Sequence, residues 1–366
     1  MTLSRDLKFE DFMTNVFERR PELLKGGCRS EYTWDDLNRC LFGWDPSDGR
    51  VRLFDKVMVP FEAYTELVDD LGTQRFRLLK EELYRRLDNG ATLILNRLDL
   101  KCPQVAEIAA QISGLIGERT VSNGYACFGG GGAFGHHWDT HDVFAVQLIG
   151  RKRWKLYEPT VALPLPHQRS ADRKHECPQV PIQDVVLEPG DILYVPRGWW
   201  HSTETAAKEE SFHIAVGVHT LKMRDYATWL CETVMGEHIS ARRSLKWENN
   251  EFEDADFVKA FEREMFSAKN LADFKQAAAE NVRQETCFSI HRSQSIGRGA
   301  SLSINSPYRQ AASGGLFVAN GTKVAIDPVS ARTLKRALDG ELGNLEPREE
   351  RFLKGLLARD LVRLIN

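Results

Sequence analysis

At 366 residues the chain exceeds the roughly 250 to 300 residues at which one hydrophobic core stops growing, so a main domain with smaller companions is expected. Apolar residues at 42% and charged residues at 28% exclude wholesale disorder, and a net charge of −3 with a pI near 6.4 supplies no global pull toward nucleic acid. Seven scattered cysteines without a C-x-x-C pair predict reduced thiols in a cytoplasmic protein, and no apolar run approaches the ~18 to 20 residues of a spanning helix, so no membrane partner is expected.

The opening segment, roughly residues 6 to 25, spaces Phe9, Phe12, Val16 and Phe17 as the apolar stripe of a short helix and stops at Pro21. Residues 32 to 118 combine polar turns such as DPSDGR at 45 to 50, a helical stretch over 74 to 88 and a strand-like ATLILN at 91 to 96. They predict a helical flank feeding into a sheet. From about 119 to 220 the runs YACF, VFAVQLI, RWKLYEP, VVLEPG, DILYVP and FHIAVGV alternate with Gly, Pro and Asp, the signature of an all-β sandwich or barrel that holds the main core. Past Leu221, helical patterns return at 223 to 236 and at 255 to 284, where Val258, Phe261 and Met265 share a face, as in a helical dimerisation or packing unit. The polar stretch at 285 to 314 predicts a loop or linker. The tail, 316 to 366, carries strand-like LFVANGTKVAI and then two helical runs built on Leu334, Leu338, Leu345, Phe352, Leu353, Leu356 and Leu357.

The chemistry concentrates in GGGGAFGHHWDTHDVFAVQLIGRKRWKLYEP, residues 129 to 159. On a strand, His137 and Asp139 share a face with Trp138 opposed, so one metal can take both. A second histidine completes the facial two-histidine, one-carboxylate set that leaves positions open on non-haem Fe(II). LEPGDILYVPRGWWHSTET supplies it: a turn at Pro189 to Asp191, a strand over Ile192 to Val195, and a second turn at Pro196 to Gly198 that delivers His201. In a double-stranded β-helix a late strand lies beside an early one, so His201 reaches the metal of His137 and Asp139. The open positions then suit a bidentate 2-oxo acid, 2-oxoglutarate, and O2. Its distal carboxylate needs a fixed cation, for which Lys152 is the candidate with the Tyr125 hydroxyl as a second donor. Lys152 stands at even separation from Asp142, Phe144 and Val146, but Gly150 intervenes, and pattern alone does not choose among the basic residues of RKRWK.

His136 and His141 are rival ligands, with His141 also suited to line the pocket. His213 reads either as a core histidine or as a site residue, and Trp138, Trp199 and Trp200 read as packing. GGGG at 129 to 132 is no phosphate loop, because no Lys-Ser/Thr pair follows; it lets the backbone bend into the barrel mouth.

The segments GGGGAFGHHWDTHDVF, GRKRWKLYEP and PGDILYVPRGWWH resemble the Jumonji-C ribosomal oxygenases, a cupin-like family with arginine- and histidine-hydroxylating members. The resemblance implies a mainly β catalytic domain of the cupin or jelly-roll kind with its N-terminal helical flank over 1–222, a helical dimerisation region over 223–284, a linker over 285–315 and a winged-helix-like domain over 316–366. By position it places the iron ligands on His137, Asp139 and His201, and the cosubstrate's basic residue on Lys152. Lys152 is similar to the histidine-hydroxylating members, whereas the glycine-rich loop is closer to the arginine-hydroxylating type. Tyr125 matches a cosubstrate-pocket tyrosine, and His213 stands where the arginine-hydroxylating type has a pocket asparagine. The expected activity is an Fe(II)-, 2-oxoglutarate- and O2-dependent hydroxylation of a protein side chain, Arg or His of a ribosomal protein, by a homodimer. Alternatives are an N-methyl-lysine demethylase, a hydroxylase of a peptide natural product, and a non-catalytic cupin-like metal-binding or sensing protein. Direct nucleic-acid binding is not expected of a tail whose charges include Asp339, Glu341, Glu346, Glu349 and Glu350.

Overall fold

The computed structural model describes residues 1–4, 9–131, 134–205, 209–245, 254–286, 296, 300–308 and 315–365, and it divides into a unit Met1–His219 and a unit Thr220–Asn366. The first unit runs β1 (Thr2–Leu3), α1 (Phe9–Asn15), β2 (Glu22–Leu24), β3 (Cys28–Arg29), α2 (Trp34–Leu41), β4 (Val51–Asp55), β5 (Val57–Met58), β6 (Thr65–Asp70), β7 (Thr73–Leu78), α3 (Lys80–Asp88), β8 (Thr92–Leu95) and α4 (Pro103–Ile116). There follow β9 (Arg119–Cys127), β10 (Gly130–Gly131), β11 (Asp142–Gly150), β12 (Lys152–Tyr157), β13 (Gln183–Leu187), β14 (Ile192–Val195), β15 (Trp200–Thr205) and β16 (Ser211–His219).

Eight of these strands form one sheet in the order β2-β14-β11-β16-β9-β8-β4-β5, and four form a second in the order β10-β15-β12-β13. All pairings are antiparallel, and from β9 onward the chain passes back and forth between the two sheets, which is the double-stranded β-helix. Side-chain alternation assigns each face. Phe144, Val146 and Leu148 of β11, Ile192 and Tyr194 of β14, and Phe212, Ile214, Val216 and Val218 of β16 join the core shared with α4. α4 meets them with Val105, Ile108, Ile112 and Ile116, one face at helical spacing; full burial of Ile108 and Ile112 contributes roughly 1.5 to 3 kcal/mol each. The opposite parity therefore faces the barrel interior. There Ala145, Leu193 and Val195 pack against Trp154, Leu156 and Leu187 of the smaller sheet.

Two local expectations are corrected. Residues 74 to 78, assigned by spacing to a helix, are the returning strand of a hairpin that pairs Thr65↔Leu78 through Asp70↔Thr73. Leu71 and Gly72 turn it, both at positive φ, and the helix begins only at Lys80. The H-x-D segment is also no regular strand, since His137 makes an isolated antiparallel bridge to His201 and Asp139 lies outside any strand. Its neighbours bind the backbone of the other ligand loop instead of a continuous ladder.

In the second unit, α5 (Met223–Thr233), α6 (Ala255–Met265) and α7 (Ala268–Glu280) bury Tyr226, Leu230, Ala260 and Phe274 together. The helical pattern over 255 to 284 is thus two helices, parted where the Ser267 hydroxyl accepts from the Asn270 backbone N–H and caps α7. A separate core joins β17 (Ser301–Ile304), β18 (Leu316–Ala319), α8 (Pro328–Leu338), α9 (Pro347–Ala358) and β20 (Val362–Ile365) through Leu302, Phe317, Leu334, Leu353 and Leu356. β19 (Thr322–Ala325) pairs with β18, and β17 pairs with β20. Much of the stretch read as a linker lies outside the described residues, but Ser301–Ile304 within it is strand β17. None of the six described cysteines forms a disulfide, and no described helix is long and apolar enough to cross a membrane.

Candidate metal centre

His137 and His201 face each other because their backbones are bonded twice. The His137 N–H donates to the His201 carbonyl at 3.0 Å, and the His201 N–H donates back at 2.8 Å. The rings stand 4.2 Å apart, centroid to centroid. Asp139 joins them through its carbonyl, which accepts from the Gly198 N–H at 3.0 Å. Gly198 is at φ +88° in the Pro196–Trp199 turn, and a Cβ there would strike the Val161 carbonyl oxygen; the turn needs glycine at this position. The result is one cluster in which a ligand atom from each of His137, Asp139 and His201 lies within 4.8 Å of the others. His201 Nε2 is 3.6 Å from Asp139 Oδ2.

The protonation states suit a cation. His137 Nδ1 lies 3.0 Å from the Gly135 carbonyl and His201 Nδ1 lies 3.1 Å from the Trp199 carbonyl. A carbonyl only accepts, so Nδ1 carries the proton in each ring and Nε2 keeps its lone pair for a metal. Burial, reinforced by His137, pushes the His201 pKa down to about 4. Burial acts to raise the Asp139 pKa, but the imidazoles of His137, His201 and His141 outweigh it and hold the carboxyl below its ordinary value.

Beside this cluster the interior parity of β12, β9 and β16 collects Lys152, Tyr125 and His213. Lys152 is 3% exposed and donates to Cys127 Sγ at 3.2 Å; no carboxylate meets it among the described residues. Its basic neighbours turn outward: Arg151 pairs with Glu209, Arg153 with Asp184 and Glu204, and Lys155 with Glu204. Of the basic residues in RKRWK, Lys152 is the one that is buried. His213 stacks on Tyr125 at 5.0 Å and meets Trp154 edge-on at 5.6 Å, and Trp154 also lies 5.7 Å from the His201 ring. His213 is buried, its Nδ1 has no hydrogen-bond partner, and burial with the Lys152 charge holds its pKa well below 6.5. Burial and Asp139 raise the Tyr125 hydroxyl to about 12, so it remains a donor.

Neither rival histidine joins the cluster of ligand atoms found among the described residues. His136 Nε2 lies 3.0 Å from the Tyr157 hydroxyl, and His141 stacks on His219 at 5.0 Å. Trp138 and Trp200 pack with Tyr157 behind the ligands. Sequence reasoning passed over Trp154, which meets His213 and His201, over Cys127, which accepts from Lys152, and over Asp142 and Arg197. Trp154 carried a signal, since it shares the even spacing of Lys152 and Leu156; a lone thiol such as Cys127 carried none.

Comparison with known proteins agrees with this geometry. Residues 99–226 match the JmjC domain family model. A bifunctional lysine-specific demethylase and histidyl-hydroxylase NO66 of Aedes aegypti is 28% identical over 211 residues, 57% of this chain and 33% of that protein. Ribosomal oxygenase 2 of Mus musculus is 33% identical over 247 residues, 64% of this chain and 50% of that protein. The chain thus spans a third to a half of the length of these relatives. The ribosomal oxygenase YcfD of Escherichia coli, solved with cobalt and 2-oxoglutarate, superposes with a TM-score of 0.58 at 19% identity over the whole of both chains, which shows the same fold.

Proposed function

We propose, because the chain belongs to the Jumonji-C ribosomal oxygenase family, that it is an Fe(II)- and 2-oxoglutarate-dependent oxygenase hydroxylating a protein side chain, with the metal on His137, Asp139 and His201. The observation that carries the reading is the buried Lys152 ammonium without a carboxylate partner among the described residues, beside the buried His213 with an unpaired Nδ1. An unpaired buried cation is costly, and a dicarboxylate that binds there offsets that cost. Two histidines and one carboxylate fit iron, because they leave positions for a bidentate 2-oxo acid and for O2. When bound, Fe(II) supplies the activation of O2 that couples conversion of 2-oxoglutarate to succinate and CO2 with insertion of one oxygen atom into a C–H bond.

The protein's part is to bind, orient and shield. Lys152 Nζ takes the distal carboxylate, the Tyr125 hydroxyl donates a second hydrogen bond, and His213 closes the pocket wall against Trp154. The carbonyls of Gly135 and Trp199 hold the two imidazoles in one tautomer. The substrate proposed is a histidine or arginine of a ribosomal protein; the histidyl-hydroxylase relatives and Lys152 favour histidine, and hydroxylation over demethylation is decided by formaldehyde release. Exposed Met223, Ile239 and Phe266 belong in this reading to a homodimer contact, which sedimentation velocity tests.

The test is anaerobic loading with Fe(II) and 2-oxoglutarate, followed by O2. A weak visible charge-transfer band and then slow succinate formation are the expected results. Iron bound with neither band nor succinate would sink the oxygenase reading and favour a non-catalytic cupin.

A further inference from the structure

Asp139 lies outside any strand and His201 near the start of β15, far apart in sequence, and a buried polar network ties the two segments together within a few residues of each ligand. Asp142, at the start of β11 just after Asp139, is fully buried; Arg197 precedes His201 and is 6% exposed. Arg197 Nη1 donates to Asp142 Oδ2 at 2.8 Å. Asp142 Oδ1 accepts from the Tyr194 hydroxyl at 2.9 Å and from the Arg197 backbone N–H at 3.4 Å. On the far side Arg197 Nη1 reaches Glu18 Oε1 at 2.7 Å, and the Glu18 N–H donates to the Tyr194 hydroxyl at 2.8 Å. Glu18 holds φ +58°, a conformation that a non-glycine residue adopts only under local constraint.

We propose that Asp142 and Arg197 are positioning residues for the metal: a buried ion pair that fixes the separation of the segments carrying Asp139 and His201. The inference rests on the metal-site reading above. Its warrant is that a buried ion pair is a poor way to stabilise a fold, since apolar residues of like volume usually serve as well or better. Burial indeed raises the Asp142 pKa against the pull of Arg197, so the pair is held at a cost. What the pair supplies and an apolar contact does not is direction. Both Asp142 oxygens accept from Arg197, in the Pro196–Trp199 turn, whose Gly198 N–H binds the Asp139 carbonyl. The N-terminal segment, through Glu18, closes the same network.

The test separates position from stability. In the metal-free full chain, the double variant Asp142→Leu/Arg197→Met should unfold no earlier than the wild type, because the exchange removes both buried charges and leaves without its ion pair only Glu18, whose side chain is 33% exposed to water. Its Co(II) affinity should nevertheless fall by about 10-fold, with altered intensity of the visible Co(II) bands, as for other residues that orient ligands from behind. Should the double variant not fold, Tyr194→Phe removes only the hydroxyl from Asp142 and should weaken Co(II) binding about threefold with the fold kept. Wild-type Co(II) affinity and spectrum in the folded variant overturn the proposal, whereas Co(II) bands that survive His137→Ala would overturn the metal-site reading on which it rests. Because the readout is Co(II) and not succinate, a failure of the oxygenase assignment would appear in the succinate assay alone.

Discussion

Replacing Lys152 with Met tests the proposed cosubstrate contact directly, since Met nearly keeps the volume of the side chain and removes the charge together with the hydrogen bond to Cys127 Sγ. Lys152 is almost wholly buried, so solvent does not screen its interaction with an incoming carboxylate. Truncating one partner of a buried, hydrogen-bonded charge pair costs about 2 to 5 kcal/mol, which is roughly 30-fold to several-thousand-fold in binding. The KM for 2-oxoglutarate, from succinate formation at varied cosubstrate, should therefore rise at least about 30-fold, while kcat at saturation moves far less. The metal-free variant should melt no lower than the wild type, because the substitution strands no acidic partner among the described residues. Co(II) binding serves as the control for an intact metal centre. A KM within about threefold of the wild-type value, with Co(II) binding unchanged, would refute the assignment of Lys152 and with it the central argument for the cosubstrate.

Three further outcomes follow from the geometry. His137→Ala and Asp139→Ala, both at half-buried positions, should fold normally yet lose Co(II) binding and succinate formation; turnover near the wild-type rate in either would remove that residue from the metal site. His213 has a folded pKa depressed well below 6.5, so as pH falls below 6.5 the unfolded chain takes up a proton that the folded chain refuses, and metal-free stability must drop. Between pH 7 and 5.5 this group alone removes about 1 kcal/mol, and urea denaturation of His213→Gln should show a correspondingly shallower loss; an unchanged slope would contradict a neutral buried imidazole. Gly198→Ala places a Cβ at positive φ against the Val161 carbonyl and should lower stability by about 2 kcal/mol, read from the denaturation midpoint.

The strands from β9 to β16 were legible because turn residues separate short apolar runs and because β11, β14 and β16 are covered on both faces, which leaves almost unbroken hydrophobic sequence. The candidate ligands were legible for a different reason. His137, Asp139 and His201 are polar residues at the edges of such runs, where packing has no use for them. The hairpin over 65–78 was not legible as a whole, because only Phe76 and Leu78 of β7 are even partly buried and two residues do not distinguish a period of two from one of 3.6. The inward turn of Lys152 depended on how the chain passes Gly150, at φ +62°, and no spacing rule carries parity through such a turn. Asp142 and Arg197 stayed hidden because a partner some 55 positions away is a tertiary fact; nothing local to DVFAV or VPRGW announces it.

The paired backbone hydrogen bonds between His137 and His201 have a thermodynamic corollary. Two of the three ligands are held in register by the main chain itself, so an arriving ion orders little beyond one carboxylate, and the conformational entropy of assembling the site is spent during folding. Metal loading should then resemble docking into a finished receptor, fast and with small heat-capacity change, and the empty and loaded proteins should differ little in hydrogen exchange. A receptor of that kind does not choose strongly among divalent ions by adjusting its shape. Selection among iron, manganese, cobalt and zinc at such a donor set then rests on coordination geometry, ligand type and metal availability.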